Sequence, residues 1–238
     1  MKRMLLPLVL AFVAGAYAYH AIAPWQWGRT DTPAAAVKTN VSHEHPFPRR
    51  PPVTLGIAHY DFDHDGAQDL LSLVWVDGDF EDDLEPWCGA GEKYFGRFVL
   101  RVEFANGKSV DTPLEALKPE WDFFFCTEIR PWPIVLADYN HDGQADFNLV
   151  AYGACSFSIA SLFTVLKSGR VENLVVEGGD LVIDSEYNST TDFQPTTTGF
   201  EYVLADRLEG RDEHYSFTWD AGKNAFSSKM LAAPWVKN

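Results

Sequence analysis

The chain is short of cysteine, methionine and positive charge. Three Cys and three Met stand in 238 residues, and 19 Lys+Arg face 34 Asp+Glu. That imbalance leaves a net charge of −15 and a pI near 4.7. Such a field repels a phosphate backbone and an anionic membrane surface, so nucleic acid is excluded as a partner class. What it favours is cations. Also missing are the common catalytic signatures: there is no Gly-x-Ser-x-Gly, no His-Glu-x-x-His and no phosphate-cradling glycine-rich loop. No base is visible beside any cysteine, which removes the ordinary route to a thiolate nucleophile. These absences favour a non-enzymatic protein.

What is present begins with an export address. Lys2 and Arg3 precede an apolar run from Leu5 to Ala18, and Ala16-Tyr17-Ala18 has the small-x-small form of a cleavage site. Residues 1–18 read as a secretory signal. The alternative is an uncleaved anchor with one N-terminal transmembrane helix, because no formal charge appears from Met4 to Gly28. Either reading sends the remainder out of the cytoplasm, to the periplasm or beyond. No Cys follows the apolar run, which argues against a lipid anchor. Residues 19–52 carry Pro24, Pro33, Pro46, Pro48, Pro51 and Pro52 without apolar periodicity and read as a linker. His43-Glu44-His45 within it reads as solvated linker in preference to a metal site.

The rest, 53–238, is expected to be a β domain. The 17 Phe, 9 Tyr and 8 Trp suit pleated, half-buried surfaces. Its strongest feature is a pair of similar segments 77 residues apart, Asp61-Phe-Asp-His-Asp-Gly-Ala-Gln-Asp69 and Asp138-Tyr-Asn-His-Asp-Gly-Gln-Ala-Asp146. Both follow Asp-x-(Asp/Asn)-x-Asp-Gly-x-x-Asp between aliphatic runs. Oxygen-bearing side chains at positions 1, 3 and 5 converge when the backbone curls tightly. Glycine at position 6 permits the positive φ of that curl, position 7 offers a carbonyl, and position 9 closes the shell. Calcium takes six to eight such oxygens, whereas soft metals find no thiolate here. His64 and His141, at position 4, are expected to point outward. Position 12, where an EF-hand needs Glu, is Ser72 in one loop and Leu149 in the other. The following residues are strand formers, so each unit reads as strand, calcium loop, strand.

The two segments resemble the calcium loops of FG-GAP and VCBS-type repeats. That resemblance implies a β-fold and two calcium ions. One ion would be held by Asp61, Asp63, Asp65, the Ala67 carbonyl and Asp69. The other would be held by Asp138, Asn140, Asp142, the Gln144 carbonyl and Asp146. Two repeats are too few for a full propeller, whose closure takes four or more blades. The expected fold is therefore mainly β: two antiparallel modules, each with its loop in the first hairpin, forming a compact sandwich or partial barrel. Repeats are placed at about 53–115 and 130–179, with a C-terminal β extension over 180–238.

Asn106-Gly107 and Ser168-Gly169 mark further hairpin turns, and Leu114 to Lys118 fits one helical turn. Gly199–Leu204 and His214–Asp220 alternate as strands, and Asp220–Lys223 turns into a final edge strand containing Phe226. The acidic stretch Asp77–Glu85 reads as a solvated loop. In an oxidising compartment two of Cys88, Cys126 and Cys155 should pair. The strand after the second loop returns toward Cys126, which favours Cys126–Cys155 over Cys88–Cys126. The function expected is an exported calcium-binding interaction module whose partner is a basic protein or a glycan. A periplasmic lysozyme-inhibitor-like protein is the alternative, since an acidic surface complements a basic lysozyme. An envelope hydrolase, resting on the abundance of carboxylates, is a second alternative.

Overall fold

Arg97–Glu103 alternates exposed and buried residues along its length, the two-residue period of a strand with one face in a core. That pattern, repeated along the chain, builds the fold. The structure is a computed structural model, and it describes residues 50–83, 91–119, 124–127, 130–154, 157–183, 193–206 and 211–231. The signal segment 1–18 and nearly all of the linker 19–52 lie outside the described residues, as do Cys88 and Cys155. Among the described residues no helix is long and apolar enough to cross a membrane.

The chain is mainly β. The first unit contains β1 (Val53–Tyr60), β2 (Asp69–Asp77), β3 (Phe80–Asp83), β4 (Gly91–Phe95), β5 (Arg97–Glu103) and β6 (Ser109–Pro113). Helix α1 (Leu114–Leu117), β7 (Phe124–Thr127) and β8 (Trp132–Pro133) follow. The second unit has β9 (Leu136–Ala137), β10 (Ala145–Ala154), β11 (Phe157–Val165), β12 (Val171–Val176) and β13 (Leu181–Ile183). The C-terminal strands are β14 (Gln194–Pro195), β15 (Gly199–Asp206), β16 (Arg211–Asp220) and β17 (Ala225–Leu231).

One sheet has the order β6-β5-β2-β1-β8 and another contains β12-β11-β10-β9. The two units thus share a strand order, with β5–β6 and β11–β12 closing on matching turns. Phe104 N–H donates to the Lys108 carbonyl and Gly107 N–H to the Phe104 carbonyl. Leu166 and Gly169 repeat those bonds with Arg170 and Leu166 as acceptors. Gly107 and Gly169 take φ of 85° and 83°, the left-handed conformation that such turns need.

The hairpin β10–β11 is a wall between two cores. Phe147 and Phe163, cross-strand partners, face a cluster with Leu71, Leu73 and Trp75 of β2 and Phe98, Leu100 and Val102 of β5. Residues of the opposite face, Val150, Ala160 and Leu162, join Phe200, Phe217 and Phe226 in a second cluster. Burial on both faces explains why apolar residues stand at successive positions from Leu149 to Ala151.

Three expectations need correction. The strand containing Phe226 is not an edge: β17 lies between β16 and β12, pairing antiparallel with the former and parallel with the latter. The buried Phe226 side chain draws it inward, and the edge falls to β14. Second, Phe80–Asp83 of the acidic stretch is strand, not loop, forming a three-stranded sheet in the order β3-β4-β7. That sheet is held by local aromatics: Phe80 packs 5.1 Å from Tyr94, and the buried Trp75 indole donates to the Phe95 carbonyl at 2.9 Å. Third, the strand expected over Ile134–Asp138 is reduced to β9, Leu136–Ala137 on the second sheet, and the short strand before it, β8, lies on the first. Ile134 N–H still donates to the Ile57 carbonyl of β1, so the chain leaves the first sheet only after that bond and reaches β10 at Leu136.

Candidate metal centre

Each loop begins where a strand ends, β1 at Tyr60 and β9 at Ala137, and each closes into the next strand. The backbone N–H bonds to positions 1, 3 and 5 coincide in the two loops, and the second adds one from Asn140 Nδ2 to Asp142 Oδ2 at 3.0 Å. In the first, Asp61 Oδ1 accepts from Asp65 N–H at 3.0 Å and Oδ2 from Gly66 N–H at 2.9 Å. Asp63 Oδ1 accepts from Asp65 N–H at 3.2 Å, and Asp65 Oδ1 from Ala67 N–H at 2.8 Å. In the second, Asp138 accepts from the N–H groups of Asp142 and Gly143, both at 3.1 Å. Asn140 Oδ1 accepts from Asp142 N–H at 3.1 Å, and Asp142 Oδ1 from Gln144 N–H at 2.7 Å.

Gly66 and Gly143 have φ of 93° and 80°, as expected for position 6. His64 and His141 also have positive φ, 63° and 60°, and both are exposed. Their exposure was legible from position 4, but their left-handed backbone was not. Histidine is among the residues enriched there.

Asp61, Asp63 and Asp65 bring a carboxylate oxygen each to within 4.8 Å of one another. Asp69 is not in that group. It is buried, its Oδ2 accepting from Phe62 N–H and its Oδ1 from Ala105 N–H, both at 2.9 Å. Asp146 is fully buried too, and its Oδ2 accepts from the N–H groups of Tyr139 at 2.8 Å and Asn140 at 3.2 Å. Its Oδ1 has no hydrogen-bond partner. Position 9 therefore anchors the backbone of position 2 in both loops, a role that sequence spacing did not suggest.

The difference between the two carboxyls comes from register. In the first unit Leu70 pairs with Glu103, so the chain beside Asp69 is already entering the turn that supplies Ala105 N–H. In the second, Asp146 pairs with Thr164, two residues before the corresponding turn residue Leu166. No turn N–H reaches it. Burial pushes the Asp146 carboxyl up to about 7, against the opposing influence of the Thr164 hydroxyl and the two backbone N–H groups. Thr164, the cross-strand partner of Asp146, has its Oγ1 buried as well.

The donor set fits a hard cation. Positions 1, 3 and 5 supply only carboxylate and amide oxygens, and two buried oxygens of the second loop, Asp146 Oδ1 and Gln144 Oε1, have no hydrogen-bond partner. Cys126 sits on β7 opposite Lys93; the pairings proposed for it involve Cys88 and Cys155, outside the described residues. Comparison of the chain with protein-family models, curated proteins and solved structures gives no match.

Proposed function

We propose that this is an exported, non-enzymatic β protein in which two calcium ions stabilise the fold and hold an interaction surface in shape. The observation that carries the reading is the coincidence of the two loops in sequence and in hydrogen-bond frame. One such turn is ordinary turn chemistry, since Asp, Asn and Gly favour turns generally. Two with the same oxygens at positions 1, 3 and 5 point to a shared ligand. Without a cation, the first loop gathers three carboxylates whose repulsion opposes folding, and a divalent ion reverses that sign. Ligation at position 9 would require Asp69 to share an oxygen with a backbone N–H it already accepts, whereas Asp146 would offer its unpartnered Oδ1.

Export rests on the residues 1–18 pattern, and the interaction role on the missing catalytic signatures together with the acidic surface. Scanning calorimetry in calcium and in chelator tests the metal. Binding confined to the folded state should add about 2.7 kcal/mol at a hundredfold excess over Kd, with two ions per chain by titration calorimetry. A melting temperature that ignores both calcium and chelator overturns the reading.

A further inference from the structure

The break between β8 and β9 leaves a cleft. On one side β1 pairs with β8 only at Gly56 and Ile57, so the outer edge of Ala58–Tyr60 has no strand beside it among the described residues. On the other side β9 ends its sheet, so among the described residues the outer edge of Leu136–Ala137 is open too. The space between has a volume of about 670 Å3 and touches Ile57–Tyr60, Pro133, Ile134, Leu136 and Ala137. It is the right scale for a ligand of several residues or a small molecule.

We propose that this cleft binds an extended, apolar peptide segment of a partner protein, added as a strand between β1 and β9, with a lysine or arginine at the end nearest the two acidic loops. Open edges are normally blunted by charge, proline or a covering element, because their free N–H and C=O groups recruit strands. Here the Ala58–Tyr60 edge carries no Lys, Asp or Glu and no proline of its own. The carbonyl of Ile57 accepts from Ile134 N–H at 2.7 Å. By strand alternation His59 directs its N–H and C=O to the same side as Ile57, into the cleft. Main-chain bonds to such an edge supply affinity, and pockets for alternate side chains supply choice.

Charge fixes the rest of the partner's chemistry. Tyr60 immediately precedes Asp61, and Asp138 itself lines the cleft, so both acidic loops begin at its margin. Among the described residues no Lys or Arg lines it. A cationic residue is therefore attracted to that end and an acidic one repelled. The site shares Asp138 with the second loop, but its attraction for a cationic residue does not need the metal: loops that bind no calcium are more acidic, not less.

The test uses the folded full-length protein in calcium and, separately, in chelator. A phage library of random dodecapeptides is selected against it, and the enriched peptide is synthesised with and without backbone N-methylation at alternate residues. We expect alternating apolar residues ending in Lys or Arg, and loss of amide exchange on binding at His59 and at the one of Leu136 and Ala137 whose N–H faces away from β10. N-methylation on one strand edge should weaken binding about tenfold, the effect of roughly two lost hydrogen bonds. Failure to enrich any sequence, indifference to N-methylation, or protection elsewhere overturns the proposal. Concentration-dependent protection of the same amides without peptide overturns it in favour of a second copy of the chain. Each result is read separately from the melting response to calcium, so loss of either inference leaves the other standing.

Discussion

Lys118 Nζ lies 2.6 Å from Asp180 Oδ1, across 62 residues of sequence, and both side chains are about nine-tenths buried. The pair ties the end of α1, in the first unit, to the turn between β12 and β13 in the second. Nearby, Val171 N–H donates to Thr112 Oγ1 at 3.2 Å, again from one unit to the other. The two β units are therefore locked by polar contacts beside the core that they share.

That lock gives the first prediction. Lys118→Ala leaves Asp180 buried without its counter-charge and should cost about 3–5 kcal/mol by urea denaturation. Replacing both partners, Lys118→Met with Asp180→Leu, should recover most of the loss. A single variant no less stable than the parent would show that the pair contributes nothing.

Within the first loop, position 1 should matter more than position 3 even without metal. Asp61 accepts two backbone N–H groups and Asp63 one, a longer bond. In chelator, Asp61→Ala should cost about 1–2 kcal/mol and Asp63→Ala less than about 1 kcal/mol. In calcium both should lower the affinity of that loop by titration calorimetry. Equal costs in chelator would argue against the hydrogen-bond frame.

Asp146 makes stability depend on pH. Its carboxyl is raised from an ordinary 3.8 to about 7 by burial. Between those values the folded chain keeps a proton that the unfolded chain has released, so stability is greatest at the acid end and falls as pH rises through the window. In chelator the melting temperature should drop between about pH 4 and pH 7 and level off above, and Asp146→Asn should flatten that part of the profile. The same substitution should weaken the response to calcium at pH 8, where the ion needs the carboxylate. An unchanged pH profile in Asp146→Asn would remove this carboxyl from the account.

Gly199 is required by a close approach, not by its backbone angle. A Cβ there would stand 1.9 Å from the Phe217 carbonyl oxygen, which is backbone and cannot swing aside. Gly199→Ala should cost more than about 2 kcal/mol through displacement of β15 from β16. At Gly222 the nearest atom is the end of the Asp220 side chain at 3.3 Å, and Gly222→Ala should be nearly neutral. Thermal melts of the two variants compare them directly.

Much of the first-order organisation could be read along the chain. Asp, Asn and Gly at fixed offsets mark the loops because convergence of oxygens at positions 1, 3 and 5 is a local property of a tight curl. Asn106-Gly107 and Gly169 mark turns for the same local reason, and Leu114–Leu117 forms the single helical turn expected. The strand pairings of the acidic stretch were not legible, since Phe80–Asp83 becomes strand only when Tyr94 and Trp75 pack beside it. Nor was the role of position 9, because whether a carboxyl meets a turn N–H or a threonine depends on a two-residue difference in register between two hairpins.

The amino-acid order alone determined the class of structure, the twin acidic loops and their neighbouring hairpins, since each rests on interactions within a few residues. Only the tertiary structure decided that β10–β11 divides two cores, that β17 is interior, and that β1 and β9 face each other across an open cleft. Those outcomes depend on which buried faces meet and in what register, and that choice is settled by packing between segments far apart in the chain.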